Sequence, residues 1–387
     1  MDRQTALTPL LAGESGLNTL TRDNSTNAVL NVLSSEPFVF SITHVCQLSG
    51  LSRPTVTRIL GDLIDHGLVA TKTATRAHAT GGRKPQLFSL NRSHHCSVVL
   101  RVNYDVVQAF ALDAAGDVIT RLASDFSNPS EVGDRLVGAL GEILDSIERP
   151  IYSVAVVVMG IVNRGLVVRS ESFPALNDNA WVGRLDQILA ERGHEARVVA
   201  LNDAKVAAQW MYSQLNAPDS AESMIAIHCS EDIGCGLIFG GVLLEGAHGA
   251  AGEILQDTDG AWMQVSKFLR ELEGQHGDPI RTVFAHAQQI DRDKPFIGEL
   301  GKLMGRALTP MVLTLDPDTV AVGGAIVDCG PALMEAIDRE LRSATPTPPA
   351  VRVAPQGAQS VQEGAKMYVL GRARRQMLDL VNPPAQF

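Results

Sequence analysis

The stretch GLSRPTVTRILGDLIDHGLV, residues 50–69, decides how the N-terminal part of this chain is read. Gly50 supplies a turn, Ser52 a helix N-cap, and Pro54 sits in a first helical turn, where its missing N–H costs nothing. Val56, Ile59, Leu60, Leu63 and Ile64 recur at the spacing of one apolar helix face, which predicts that this face packs inward. The start of the helix then presents Arg53, Thr55, Thr57 and Arg58 outward, as a recognition helix does toward a major groove. Arginine addresses guanine edges or phosphates, and short hydroxyls approach either closely.

Upstream, SITHVCQLSG (residues 41–50) reads as a helix from Ser41 ending near Gly50, with the small Cys46 allowing a close helix crossing. Val29, Leu30, Val32 and Leu33 predict a first short helix that Pro37 breaks. Residues 1–24 show little periodicity and read as a mobile leader. Downstream, LVATKTATRAHATGGRKPQLFSLN (residues 68–91) reads as a two-stranded wing whose tip carries Arg76, His78, Gly81, Gly82, Arg83 and Lys84. Glycines at such a tip permit approach to a minor groove, and the cations release counterions. The DNA-binding candidates are therefore Ser52, Arg53, Thr55, Thr57, Arg58, Arg76, Arg83 and Lys84. The competing reading is a small helical bundle whose hairpin contacts protein.

The 387 residues are 45% hydrophobic and 20% charged, ordinary for globular domains, and the length implies more than one. A net charge of −10 argues against a polyanionic partner only if it is spread evenly. It is not. Residues 25–92 hold seven basic residues against three acids, whereas residues 93–387 hold 24 against 37. A small basic unit precedes a large acidic one, an asymmetry that points to nucleic acid. Five scattered cysteines form neither a disulfide framework nor a zinc site. No signal segment or membrane-length apolar run is apparent, so a cytoplasmic location is expected.

Beyond Asn91 strands alternate with helices. SVVLRVNYD, VVQAFALD and DVITRLAS read as three strands; helices near 130–147 and 182–193, the strands YSVAVVVMG and ARVVALN, and a helix from Asp203 follow. SMIAIHCS, GCGLIFGG and VLLEG open a second cluster that ends in the strand TVAVGGAIV. Two such halves predict an α/β body with a duplicated core of the actin and sugar-kinase kind.

The segments GLSRPTVTRILGDLIDHGLV, GGRKPQLFSLN, LNDAKVAAQ, GAHGAAGEI and LDPDTVAVGGAI together resemble a ROK family transcriptional regulator, from about residue 25 onward. The resemblance implies a winged helix-turn-helix (25–92, after a leader over 1–24) followed by a two-lobed actin-like, RNase H-like ROK body (93–387). It implies a homodimer or homotetramer on a double-stranded DNA operator, repression of carbohydrate genes, and a sugar or related metabolite as effector. Asn202 and Asp203 match the family's Asn-Asp pair on sugar hydroxyls, Glu253 matches a further hydroxyl acceptor, and Gln256 stands where the family has a histidine.

Kinases of the family clamp ATP with an Asp-x-Gly-Gly-Thr loop and a Gly-Thr-Gly-x-Gly loop. Here the first reads Arg101, Asn103, Tyr104 and Asp105, and the second SEDIG, with Glu231 and Asp232. Bulk and negative charge oppose a triphosphate, so no phosphoryl transfer and no cofactor are expected. The Gly323-Gly324 turn resembles the adenosine side but reads equally as structural. DTDGAWMQVSKF has none of the cysteines of the family's zinc loop, and no metal is expected. An active sugar kinase with a DNA-binding head, and a regulator that uses the ROK fold only as a scaffold, are the alternatives. The pattern from Gln359 to Leu380 reads either as a docking helix or as a solvated basic face.

Overall fold

The computed structural model describes residues 17–35, 39–73, 86–216, 220–293, 295–355 and 359–383. Its first element, α1 (Leu17–Ser34), begins inside the segment expected to be a leader, which corrects that boundary. Residues 17–24 carry no apolar stripe of their own, so nothing in their pattern announces the helix. After β1 (Phe40–Ser41), α2 (Ile42–Ser49) is capped by the Ser41 side chain, which accepts from His44 N, and ends at Gly50 with φ of 69°. That left-handed conformation is one glycine adopts without steric cost.

The helix α3 (Arg53–Asp65) follows, then β2 (Val69–Thr73) and β3 (Gln86–Leu90), which pair antiparallel from Val69↔Leu90 to Thr73↔Gln86. The wing strands thus form as expected, and β1 adds a third strand that sequence reading did not supply. Val56, Ile59, Leu60 and Leu63 of α3 are buried with Val29, Leu30 and Leu33 of α1 and Val45 of α2.

The body opens with β4 (Cys96–Val102), β5 (Val106–Asp113), β6 (Val118–Asp125), α4 (Val132–Asp145) and β7 (Ile151–Val158). A small hairpin, β8 (Ile161–Asn163) and β9 (Leu166–Arg169), precedes α5 (Ala180–Glu191), β10 (Val198–Asn202) and α6 (Asp203–Leu215). The run is then repeated: β11 (Met224–Cys229), β12 (Ile233–Phe239), β13 (Val242–Leu243), α7 (Ala261–His276), α8 (Ile280–Ala285), α9 (Ala287–Asp293), α10 (Ile297–Leu315), β14 (Thr319–Gly323), α11 (Pro331–Ala344) and β15 (Ala350–Val353). The chain then forms α12 (Ser360–Val381).

The two five-stranded sheets have one topology. Their orders are β10-β7-β4-β5-β6 and β13-β12-β11-β14-β15, so in each the first strand lies between the second and the fourth. The second sheet mixes an antiparallel β11–β12 pair with parallel β11–β14 and β14–β15 pairs, the pairing a meander followed by helical crossovers produces. The duplication expected from the strand count is therefore a duplication of connectivity. Nothing in the strand-by-strand reading provided β8, β9 or β15, which are short.

The chain divides into two compact units. One comprises the described residues up to Val156, with Ala180–Val199 and those from Lys366 onward; the other is Val157–Asn179 with Ala200–Ala365. The helix-turn-helix is not set apart from the first sheet. Ala114, beside the β5–β6 turn, and Met377 and Val381 of α12 are buried in the same apolar cluster as α1 and α3. Of the two readings of the C-terminal pattern, docking describes α12: Val369, Ala373, Arg374 and Met377 are all buried.

Candidate nucleic-acid interface and effector site

The reading helix is built from its cap. Ser52 Oγ accepts from Thr55 N at 3.4 Å and shares a 2.8 Å hydrogen bond with Thr55 Oγ1. The Thr57 hydroxyl donates to Arg53 O at 2.8 Å. Ser52, Arg53, Thr57 and Arg58 are exposed, whereas Thr55 is half-buried. The outward placement expected of Thr55 is thus only partial, because its hydroxyl turns back onto the cap.

Charge at this surface is smaller than the formal count suggests. Arg58 pairs with Asp62 one turn along α3 at 2.9 Å, and Arg92 pairs with Asp113 and Asp117. Arg53 makes no ion pair with any described residue. Lys72 is exposed on β2, in line with the wing, and sequence reasoning passed over it because it lies in a strand rather than at the tip. Arg76, Arg83 and Lys84 lie outside the described residues.

The second site centres on the β10–α6 junction. Asn202 ends β10 and caps α6: its Oδ1 accepts from Lys205 N at 2.8 Å, and its Nδ2 donates to Gly160 O at 2.8 Å. Both ends of this amide are engaged by main chain, so Asn202 first of all fixes the strand-to-helix turn. Asp203 is half-buried at the first position of α6, and its Oδ1 accepts from Ala204 N at 2.8 Å.

Lys205 is the residue sequence reasoning missed. Its side chain is buried, and Nζ donates to Gly249 O at 2.5 Å and Glu245 O at 3.4 Å. Burial lowers its pKa, opposed by the carboxylates of Glu253 and Glu245. Burial likewise raises the pKa of Glu253; Lys205 counteracts this and Asp203 adds to it. Asp203, Lys205 and Glu253 are therefore electrostatically coupled, although 50 residues separate the first from the last. Gly249 has φ of 75°, and a Cβ there would collide with the Val162 carbonyl, so the segment before Glu253 is held closely. Gln256 is exposed three residues beyond Glu253, and no hydrogen bond brings its side chain to the other three.

Two turns stand where the kinases of the family would clamp phosphates. At the β4–β5 turn, Asn103 N donates to Val106 O at 2.9 Å, Asp105 O accepts from Phe126 N at 2.8 Å, and the Tyr104 ring is exposed. At the β11–β12 turn, Asp232 accepts from Ile233 N at 2.9 Å and its pKa is raised by burial. Glu231 pairs with Arg281 at 2.9 Å. Ser230 Oγ accepts from Ala325 N at 3.1 Å, which ties this turn to the residue after Gly323-Gly324. Gly324 has φ of 91°, and a Cβ there would collide with the Cys229 carbonyl. Close packing alone accounts for that glycine. Among the described residues no group of three or more His, Cys, Asp or Glu is placed to hold a metal ion, and no helix is long and apolar enough to cross a membrane.

Residues 26–72 match the IclR helix-turn-helix domain and residues 105–254 match the ROK family. The xylose repressor of Bacillus subtilis is 20% identical over 334 residues, covering 81% of this chain and 84% of the repressor. An N-acetylmannosamine kinase of Escherichia coli is 28% identical over 217 residues, covering 51% of this chain and 72% of the kinase. Among solved structures, a ROK family transcriptional regulator homologous to the Escherichia coli MLC protein superposes with a TM-score of 0.68 at 18% identity, over 94% of this chain and 99% of the other. A ROK hexokinase from Thermus thermophilus gives 0.52 at 21% identity, over 71% and 97%. The regulator's likeness extends over the head as well as the body; the kinases' likeness covers the body.

Proposed function

We infer, from a body that matches the ROK family over residues 105–254 and a head that matches the IclR helix-turn-helix domain, that this chain is a DNA-binding transcriptional repressor whose body senses a small polyhydroxylated metabolite. The single observation that supports the DNA reading best is α3: capped at Ser52, apolar on its inner face, with Arg53 exposed and in no ion pair with a described residue, and a β2–β3 wing beside it. Arg53 and Thr57 meet the duplex, and Lys72 with Arg76, Arg83 and Lys84 neutralise phosphates. Fluorescence anisotropy on a fragment of the chain's own promoter tests this. Arg53→Ala should weaken binding by roughly 1–3 kcal/mol if it reads a base, or reduce the salt slope by about 1 if it meets a phosphate. Affinity and salt slope both unchanged would remove α3 from the interface.

The effector reading rests on Asp203 and Glu253, two carboxylates coupled across Lys205, which suit hydroxyl donors better than they suit an anion. Asn202 and Gln256 complete the proposed site, Asn202 by shaping its floor. Calorimetry with a panel of neutral sugars should give heat that Asp203→Ala removes, and the same variant should no longer release DNA on sugar addition. The kinase relatives favour a second reading, ATP-dependent sugar phosphorylation with Asp203 as general base. Glu231 and Asp232 at the β11–β12 turn weigh against it, because a triphosphate there meets carboxylates instead of glycine N–H groups.

A further inference from the structure

Arg374 lies near the middle of the second half of α12, buried within the unit that holds the head. It donates to Asn27 Oδ1 at 3.2 Å, to Asn31 Oδ1, to Ser34 Oγ at 2.9 Å and to Leu30 O at 3.5 Å. Asn27, Asn31 and Ser34 stand at i, i+4 and i+7, a single polar stripe down the otherwise apolar inner face of α1. One turn beyond Arg374 the contact continues, with Met377 and Val381 entering the core around Val29, Leu30 and Leu33, and Asn382 Nδ2 donating to Thr26 Oγ1 at 3.4 Å.

No carboxylate pairs with this guanidinium among the described residues. Burial lowers its pKa to about 10, which leaves it charged at neutral pH. A buried charge without a counterion is a poor source of stability, and an apolar side chain of similar volume would adhere as well. What arginine adds is geometry: a rigid planar fork whose donors fix both the rotation and the axial register of the helix it grips. The helix so gripped is α1, against which α2 and α3 pack.

We propose that Arg374 is a positioning residue for DNA recognition, fixing α1, and through it the orientation of the reading helix α3, on α12. The proposal rests on the reading that α3 binds DNA, and extends it: Arg374 touches no nucleotide, and governs how a head is aimed rather than how tightly it grips. Two heads on paired half-sites must keep a fixed mutual orientation, so loosening the aim is felt in the tolerance to half-site spacing and not at one isolated half-site.

The test uses the full chain and the variants Arg374→Met, Arg374→Lys and Asn31→Ala. Amide hydrogen exchange without DNA should show α1 exchanging at least tenfold faster in Arg374→Met, less so in Arg374→Lys, with β11 and β14 unchanged. Duplexes selected in vitro on the wild-type chain are then cut to one half-site or re-spaced by about half a helical turn, about 5 base pairs. Affinity for one half-site should stay within twofold in Arg374→Met, while the penalty for re-spacing shrinks tenfold or more. Unchanged exchange of α1, or an unchanged spacing penalty, overturns the proposal. If Arg374→Met unfolds globally, the Lys and Asn31→Ala variants carry both measurements. Failure of the wild-type chain to select any duplex would instead remove the DNA reading, and the exchange data would still judge the clasp.

Discussion

Three single residues carry most of the local chemistry. Lys205 spends its ammonium on two main-chain carbonyls, 40 and 44 residues downstream, and so staples the segment before Glu253 to the start of α6. Glu253 is pushed above the ordinary glutamate range by its burial. Folding therefore favours its protonated form: that contribution is complete below the ordinary glutamate pKa and is lost as pH rises through the raised value. Glu253→Gln should accordingly raise the melting temperature at pH 8, leave it nearly unchanged at pH 4, and flatten the profile between, as scanning calorimetry across that range would show. Gly324 offers a contrasting case, since its φ of 91° and the Cys229 carbonyl leave no room for a Cβ. Gly324→Ala should cost more than about 1 kcal/mol by denaturant titration, with no loss attributable to a missing nucleotide contact.

At the scale of elements, α3 shows how a cap and a contact are told apart. Ser52→Ala removes the N-cap and should cost about 0.5–2 kcal/mol of stability; Arg53→Ala removes an exposed cation that pairs with no described residue and should leave stability within about 0.5 kcal/mol. Urea titration separates the two, and DNA affinity reverses their order if Arg53 is the contact. Helices with a strong apolar stripe, such as α3 and α4, were legible to within a few residues, because burial on one side leaves the 3.6-residue period in the sequence. The first turns of α1 and the short strands β1, β8, β9 and β15 were not. Two to four residues are too few to show an alternation, and such strands form only because a partner edge is already in place.

For the whole molecule, the net charge of −10 divides into a basic head and an acidic body, and ion pairs at Arg58 and Arg92 reduce the head's effective charge further. Association with DNA should consequently be only modestly salt-sensitive, because few phosphate contacts release few counterions, as the slope of log affinity against log salt would show. The duplicated sheets share the fold of the ROK hexokinase structure, and the β11–β12 turn carries Glu231 and Asp232. Millimolar ATP with magnesium should leave the melting temperature unchanged, whereas a ligand at 100 times its Kd would stabilise by about 2.7 kcal/mol; a shift of that size would restore the enzyme reading.

What the amino-acid sequence determined by itself is whatever local pattern records: the capped reading helix, the wing strands, the repeated strand clusters and the charge split. Each follows from neighbours a few residues apart, where periodicity and turn chemistry act directly. The tertiary structure decided the rest. Arg374, read from its pattern as either docking or solvated, meets Asn31 across 343 positions, and Lys205 finds its carbonyls only once the second strand cluster has folded over α6. A buried cation looks the same in a sequence as an exposed one; only the path of the backbone determines whether it meets water or a ring of acceptors.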